Sequence, residues 1–247
     1  MNTETVLLYL TAGLVGGVVN AAAGGAKLFV FPMLLAAGLP PVAANATGTV
    51  ALWPALMPAI WVYRDRLKRS FRTLLLGAGP AVLGALAGAS ALIVSGDQGF
   101  MAVVPFFLII AVVIITLGNR LATVGLKMGL SGSIAVTVLL FASGFYGGFF
   151  GAGLGFLLMA AFTLAGAADP QDANARKVLY ATVINSTAVI PLAFASLVDW
   201  HAAAVVAMGG LAGGYAGAHL VRLLPPRPMR WAVAIAGSAL TLYYLIS

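Results

Sequence analysis

The stretch GLVGGVVNAAAG at residues 13–24 has a glycine pattern similar to that of GFYGGFFGAGLG at residues 144–155. We call these two stretches the glycine phrases. A second repeated motif, Ala-Asn-Ala, follows each copy at nearly the same distance, at residues 44–46 and at residues 173–175. Only 8% of the chain is charged, so both copies stand in an apolar background. Two phrases repeated in the same order indicate an internal duplication, and duplicated membrane folds are common among transporters.

The composition places the chain in a lipid bilayer. Hydrophobic residues make up 62% of it and the mean hydropathy is +1.06, which is more apolar surface than one water-soluble core could bury. The net charge is +7, but the basic residues lie in short connectors, so the positive-inside rule explains them and we expect no nucleic-acid partner. Cysteine is absent, which excludes disulfides and thiolate sites. The N-terminal run carries Glu4 and no basic residue, which favours a retained helix over a cleaved signal peptide.

The apolar runs predict an all-α polytopic membrane protein. A helix needs about 20 residues to cross about 30 Å of hydrocarbon, and about eight segments have that length or nearly so. Two further runs, at residues 28–37 and 156–164, follow the glycine phrases and are too short, so we predict half-helices or re-entrant segments there. The predicted long helices are residues 5–23, 43–63, 71–94, 99–117, 129–150, 176–197, 202–222 and 230–246.

The connector charges predict two inverted repeats, residues 1–123 and 124–247, within one integrated transmembrane domain. The connector at residues 64–72 is strongly basic, whereas its counterpart at residues 198–201 has no Lys or Arg. The acidic connector at residues 95–98 likewise corresponds to one that carries Arg222, Arg227 and Arg230. An odd number of segments per repeat inverts the second copy. We therefore expect a multi-pass protein of the bacterial inner membrane with most basic loops in the cytoplasm and both termini outside.

The glycine phrases predict two roles, close helix packing and substrate binding. Small residues let transmembrane backbones approach closely, and this packing role is the interpretation that we favour for Gly13, Gly16, Gly17, Gly144, Gly147 and Gly148. The later glycines precede the two short segments, where a broken backbone is tolerated at depth only against protein or a water-filled cavity. The N–H groups that begin a short helix attract anions, so we predict substrate binding at Gly24, Gly25, Gly153 and Gly155.

Lys27 follows the first break and is the basic residue that lies well inside an apolar stretch. Two roles stay open for it: facing an anionic substrate, or snorkelling to the cytoplasmic surface. The second half has Phe156 at about the equivalent place, so a site that uses Lys27 is asymmetric.

Small polar side chains near the breaks complete the predicted substrate site. N-capping is the alternative role for those that begin a helix, and hydrogen bonding between helices is the alternative for the one that lies in mid-helix. The predicted polar residues are Asn45, Thr47, Thr49, Asn174 and Asn185. We predict no catalytic residue, no metal site and no cofactor, and we expect a small anion and the lipid bilayer as partners, with a homodimer as a further expectation.

These motifs resemble the sulfite exporter TauE/SafE family, also called the toluene sulfonate uptake permease family. The resemblance rests on the duplicated glycine openings, Phe-Pro at residues 31–32, the turn GLPPVA at residues 38–43 and the helix start ANAT at residues 44–47. In the second half it continues over residues 166–185 and ends on VDW at residues 198–200. It covers nearly the whole chain, with departures at residues 20–23 and at Arg176 and Lys177. The resemblance implies transport of small sulfur-containing or organic anions, such as sulfite, sulfonates or sulfoacetate-like compounds.

The expected function is therefore anion transport, with export favoured over uptake. One negative charge that leaves an inside-negative cell releases about 2.3 kcal/mol per 100 mV, so export needs no coupling ion. Proton- or sodium-coupled uptake is the alternative, with His219 as a candidate titrating group. A rhomboid-like intramembrane serine protease is an alternative of another class, because GLSG at residues 129–132 supplies Ser131 and His219 could act as its base.

Overall fold

A computed structural model describes residues 2–23, 25–68, 71–127, 132–166, 169–223, 234–235, 237–239 and 242. All regular secondary structure in these residues is helical, as predicted. In chain order the helices are α1 (Thr3–Ala23), α2 (Lys27–Ala36), α3 (Pro41–Leu52), a 3₁₀ turn (Pro54–Leu56), α4 (Met57–Lys68), α5 (Phe71–Leu76), α6 (Gly79–Lys127), α7 (Ser133–Phe149), α8 (Leu154–Leu164), α9 (Pro170–Phe194) and α10 (Trp200–Leu223).

Three of the described helices are long and apolar enough to cross a membrane, by length and composition: Thr3–Asn20, Gly79–Gly118 and Gln171–Phe194. The two short segments are present as α2 and α8, which have 10 and 11 residues and follow the glycine phrases as predicted. A 10-residue helix reaches about 15 Å, roughly half of the hydrocarbon thickness. The predicted helix at residues 230–246 lies mostly outside the described residues.

Helix α6 runs through the predicted connector at residues 95–98 but breaks there. Gly96 has φ 60° and ψ 173°, a left-handed conformation that interrupts the helix and that glycine adopts without steric cost. Without that break, its 49 residues would reach about 74 Å, more than twice the hydrocarbon thickness. The bend separates the two predicted segments on either side of this connector, but the predicted helix at residues 71–94 is itself divided into α5 and the first part of α6.

The prediction of one continuous helix over residues 43–63 is wrong. The structure has α3, a 3₁₀ turn and α4 in its place, and the interruption falls at Pro54. Proline lacks the N–H that an α-helix interior needs, and the chain instead closes a tight turn in which the N–H of Leu56 donates to the carbonyl of Trp53.

Helix α9 begins six residues earlier than the predicted residue 176. Asp169 caps it, because its side chain accepts the backbone N–H of Asp172 at 2.6 Å, and Pro170 occupies the first turn. The earlier start brings Asn174 into the helix and places Lys177 two turns inside it.

Four of the six glycines predicted to pack helices do so in two matching pairs of helices: Gly13, Gly17, Gly144 and Gly148. Helix α1 packs on α10, and a Cβ added at Gly17 would lie 2.2 Å from the carbonyl oxygen of Gly210. Helix α7 packs on the first part of α6, where a Cβ at Gly144 would lie 2.1 Å from the carbonyl oxygen of Ala81. The first helix of each predicted repeat therefore packs against the fourth predicted segment of the other repeat.

Candidate functional site

The chain breaks between α7 and α8, at the second glycine phrase. Gly151 and Gly153 have φ values of 79° and 75°, which turn the backbone between the two helices. Tyr146, buried inside α7, donates its hydroxyl to the carbonyl of Ala152. The break leaves the last carbonyls of α7 without the N–H partners that a continuing helix would supply.

Lys27, the first residue of α2, supplies one of the missing donors. Its side chain is 7% exposed, and its Nζ donates to the carbonyl oxygen of Phe150 at 2.6 Å and to Oδ1 of Asn45 at 2.9 Å. A cation at the carbonyl end of a helix is favoured by the helix dipole. The buried ammonium thus ties α2 to the broken backbone of the second half, and Lys27 does not reach the surface as a snorkelling side chain would.

Asn45 completes the same contact from α3. Its Nδ2 donates to the carbonyl oxygen of Phe149 at 2.7 Å, and the residue has no exposed surface. Thr49, one turn later, donates its hydroxyl to the backbone carbonyl of Asn45 at 2.8 Å. Asn45 therefore acts in the buried contact between the two halves and does not act as an N-cap.

A cavity of about 620 Å³ adjoins this contact. It is bordered by the starts of α2 and α8, by α3, α4 and α9, and by the α1–α10 pair, so both halves of the chain enclose it. Most of its walls are apolar. Its polar and charged walls are Asn20, Lys27, Thr49, Tyr63, Asn174, Lys177, Asn185 and Tyr215.

One face of α9 carries much of the polar wall. Asn174 donates its side-chain Nδ2 to the hydroxyl of Tyr63 on α4. Lys177 follows one turn later and borders the same cavity. Asn185 lies two turns further on and donates Nδ2 to the carbonyl of Ala181 at 2.8 Å, which is the hydrogen bond that its side chain makes among the described residues.

Some predicted site residues lie away from the cavity. The hydroxyl of Thr47 is buried and accepts the backbone N–H of Asp199 at 3.0 Å, so Thr47 supports the start of α10. Gly153 faces Ile115 and Ala111 of α6, and Gly25 is buried without bordering the cavity, whereas Gly155 borders it. The predicted residue Gly24 lies outside the described residues. The structure therefore brings Lys27, Thr49, Gly155, Asn174 and Asn185 together around the cavity and places Asn45 behind Lys27.

Lys177 and Tyr63 border the cavity but were not among the predicted site residues. Lys177 follows Arg176 at the start of the predicted helix over residues 176–197, where the positive-inside rule explains a basic residue by the cytoplasmic surface. The sequence Asp-Pro at residues 169–170 is a capping signal that would have moved the helix start and brought Lys177 two turns inside.

The cavity wall contains no carboxylate. The chain has six acidic side chains, all among the described residues and none bordering the cavity: Glu4, Asp65, Asp97, Asp169, Asp172 and Asp199. Within the described part of the chain, no three His, Asp or Glu residues lie close enough together to hold a metal ion. The available side-chain chemistry of the cavity is two ammonium groups with amide and hydroxyl groups beside them.

An aromatic layer, defined as Phe31, Phe100, Phe107, Phe149 and Phe150, lies beside the Lys27 contact. The rings of Phe31 and Phe150 meet edge to face at 5.7 Å, and Phe31 contacts Phe100 at the same centroid distance. Phe107 stacks on Phe149 at 4.9 Å. None of the five borders the cavity, and the layer touches it only through Phe150, whose carbonyl oxygen accepts from Lys27.

Of the candidate protease pair, His219 lies among the described residues. Ser131 lies outside the described residues. His219 is exposed, and its Nδ1 lies 2.9 Å from the carbonyl oxygen of Tyr215 on the same helix.

Comparison with known proteins points to membrane transport. A family model described as sulfite exporter TauE/SafE matches residues 9–244. A probable membrane transporter protein, ORF9 of a Sinorhizobium species, is 32% identical over 160 residues, which are 63% of this chain and 60% of that relative. The match thus spans less than two thirds of the relative's length. No solved structure matches the chain.

Proposed function

The chain belongs to the sulfite exporter TauE/SafE family, and from this premise we propose that it carries small organic or sulfur-containing anions across the bacterial inner membrane, in the direction of export. It is a multi-pass membrane transporter by family and by its apolar helices. As a transporter it is not expected to be an enzyme.

The observation that carries the proposal is the cavity that both halves enclose without a carboxylate. Lys27 and Lys177 supply positive charge there, and Asn174, Asn185 and Thr49 supply neutral hydrogen-bonding groups. Charged side chains at membrane depth are costly and mark substrate pathways by default. A cation site would need oxygen ligands with negative charge, whereas this wall suits an anion.

The proposed mechanism is alternating access between two inverted repeats, residues 1–123 and 124–247. The reciprocal packing of α1 on α10 and of α7 on the first part of α6 supports such a relation, because a pseudo-two-fold axis makes each contact occur twice. The cavity reaches Tyr63, close to the basic connector at residues 64–72, which we assign to the cytoplasm. In that orientation the cavity faces inward and the aromatic layer closes the outer side.

Export then needs no second ion. One negative charge moving outward releases about 2.3 kcal/mol per 100 mV, which sustains roughly a fiftyfold gradient. Uptake of an anion would have to proceed against this electrical free energy and would need a coupling ion. None of the acidic side chains borders the cavity to relay protons or hold sodium.

Flux in proteoliposomes tests the proposal. The panel is sulfite, thiosulfate, sulfonates, sulfoacetate and small carboxylates, each under potentials of either sign. Flux of an anion driven by potential alone supports a facilitator. Flux that requires a proton or sodium gradient supports the coupled alternative, and silence for every anion overturns the proposed function.

A further inference from the structure

Two ammonium groups share the cavity, and they come from different halves of the chain. Lys27 stands at the start of α2 and already donates to Asn45 and Phe150, which leaves one of its three N–H groups for the cavity. Lys177 stands on the cavity face of α9 and has no hydrogen bond or ion pair with any residue that the structure describes. Lys27 is thus held in place, and Lys177 is unpaired within the described part of the chain.

No acidic side chain of the protein balances these two charges. Asp172 is the nearest carboxylate to Lys177 along the chain, but it pairs with Arg176 at 2.9 Å. Asp169 pairs with Arg66, and Asp65 pairs with Lys68. Asp97 accepts the backbone N–H of Val42 and Asp199 caps α10, while Glu4 lies in the first turn of α1.

We infer that the cavity accepts doubly charged anions in preference to singly charged ones, with Lys27 and Lys177 each facing one charge. An ammonium group away from water is costly unless it is paired. An anion with one charge pairs one lysine and leaves the other uncompensated, whereas a dianion pairs both. The inference rests on the proposed function, because it names the charge class of the transported anion.

The placement of the two lysines favours a dianion whose charges stand on separate groups. Lys27 lies at the start of α2 and Lys177 lies on α9, so the two ammonium groups border the cavity from different helices. A cavity of about 620 Å³ has room for an organic anion with a charged group at each end. Most of the cavity wall is apolar, which suits a carbon spacer between the two charged groups.

Binding to the purified protein tests the inference with two matched pairs of anions. Sulfoacetate is compared with isethionate, and malonate with lactate; the first of each pair carries two charges and the second carries one. We expect the dianion to bind at least tenfold more tightly in each pair. Lys177→Gln should weaken dianion binding by tenfold or more, change monoanion binding by less than threefold, and bring both ratios close to one.

Two variants control the measurement. Lys177→Arg keeps the charge and should retain the preference, and Lys68→Gln removes an exposed lysine outside the cavity and should leave all four affinities unchanged. Equal affinity within both pairs, or no binding of either dianion, overturns the inference. So does an equal loss for mono- and dianions in Lys177→Gln. Transport of monoanions without a dianion preference would overturn this inference alone, whereas silence for the whole flux panel would overturn the proposed function.

Discussion

The Nζ of Lys27 donates to the carbonyl oxygen of Phe150 at 2.6 Å, across 123 residues of chain. The ammonium belongs to the first glycine phrase's short helix, and the carbonyl belongs to the break in the second phrase. The ring of the same Phe150 packs edge to face on Phe31, which lies one turn after Lys27 on α2. A movement of the break between α7 and α8 would therefore disturb the lysine contact and the aromatic layer together.

Replacing Lys27 with Met should weaken both binding and folding. The substitution removes a charge from the cavity and leaves the carbonyl of Phe150 buried without this donor. Loss of a charged hydrogen bond of this kind costs about 1 to 3 kcal/mol. We expect anion affinity to fall at least tenfold and the melting temperature in detergent to drop; affinity and melting temperature equal to those of the unmodified protein would contradict this assignment.

Alanine substitutions at Asn185 and Asn45 should have different effects, the first mainly on anion flux and the second mainly on stability. Asn185 borders the cavity and makes a local bond with Ala181, so Asn185→Ala should reduce anion flux with a change in stability below about 1 kcal/mol. Asn45 is buried at the contact between the halves, so Asn45→Ala should lower the melting temperature clearly more. Flux and thermal melting of both variants provide the test, and the reverse ranking of stabilities would count against the described contact.

The close packing of α1 on α10 predicts a severe effect at Gly17. A Cβ there would lie 2.2 Å from the backbone oxygen of Gly210, so Gly17→Ala has to separate the two helices. Overpacking of this kind costs about 1 to 3 kcal/mol or more. Gly79→Ala is the matched control, because a Cβ at Gly79 meets no atom within 4 Å. We expect a lower yield and melting temperature for the first variant alone.

The natural absence of cysteine allows accessibility to be measured with single cysteines. Ala59→Cys places a thiol on the cavity wall, and Gln98→Cys places one at the opposite connector. An impermeant thiol reagent should label the first from the cytoplasmic side and the second from outside. Labelling of both from the same side would refute the proposed topology.

The aromatic layer predicts a further change in the same assay. Phe100 has no exposed surface and contacts Phe31, Phe149 and Phe150, so Phe100→Ala should let reagent reach the cysteine at position 59 from outside. Phe145→Ala is the control, because Phe145 stacks on Phe149 at 6.1 Å but lies outside the layer. Equal labelling from outside in both variants would contradict the proposal that the aromatic layer blocks access to the cavity.

The cap of α9 predicts a pH dependence of stability. The backbone N–H of Asp172, with a contribution from the Arg66 guanidinium, lowers the pKa of the Asp169 carboxyl below its ordinary value. A lowered pKa in the folded state stabilises the fold above the ordinary carboxyl pKa, and this contribution is lost as the pH falls through the folded value. Thermal melting from pH 7 to pH 3 should show a smaller acid-induced decrease for Asp169→Asn than for the unmodified protein. Parallel curves would exclude this role.

Much of the architecture was predictable because it depends on local sequence. Apolar length and the paired glycine phrases predicted the membrane class and the short segments α2 and α8, and small residues predicted the tight helix contacts. The single helix over residues 43–63 was wrong because Pro54 interrupts it. The start of α9 was placed late because the cap at Asp169 was given no role.

The sequence by itself determined which polar and charged side chains lie in apolar segments, where burial in a bilayer costs free energy. Lys27 was identified in this way because it interrupts an apolar run. The tertiary structure alone decided what each one faces. It places the carbonyl of Phe150 against Lys27 and directs Thr47 to the backbone of Asp199, away from the cavity. It also brings Lys177 into the same cavity as Lys27. The reason is physical: these contacts join segments more than a hundred residues apart, and helical periodicity carries information only along a single helix.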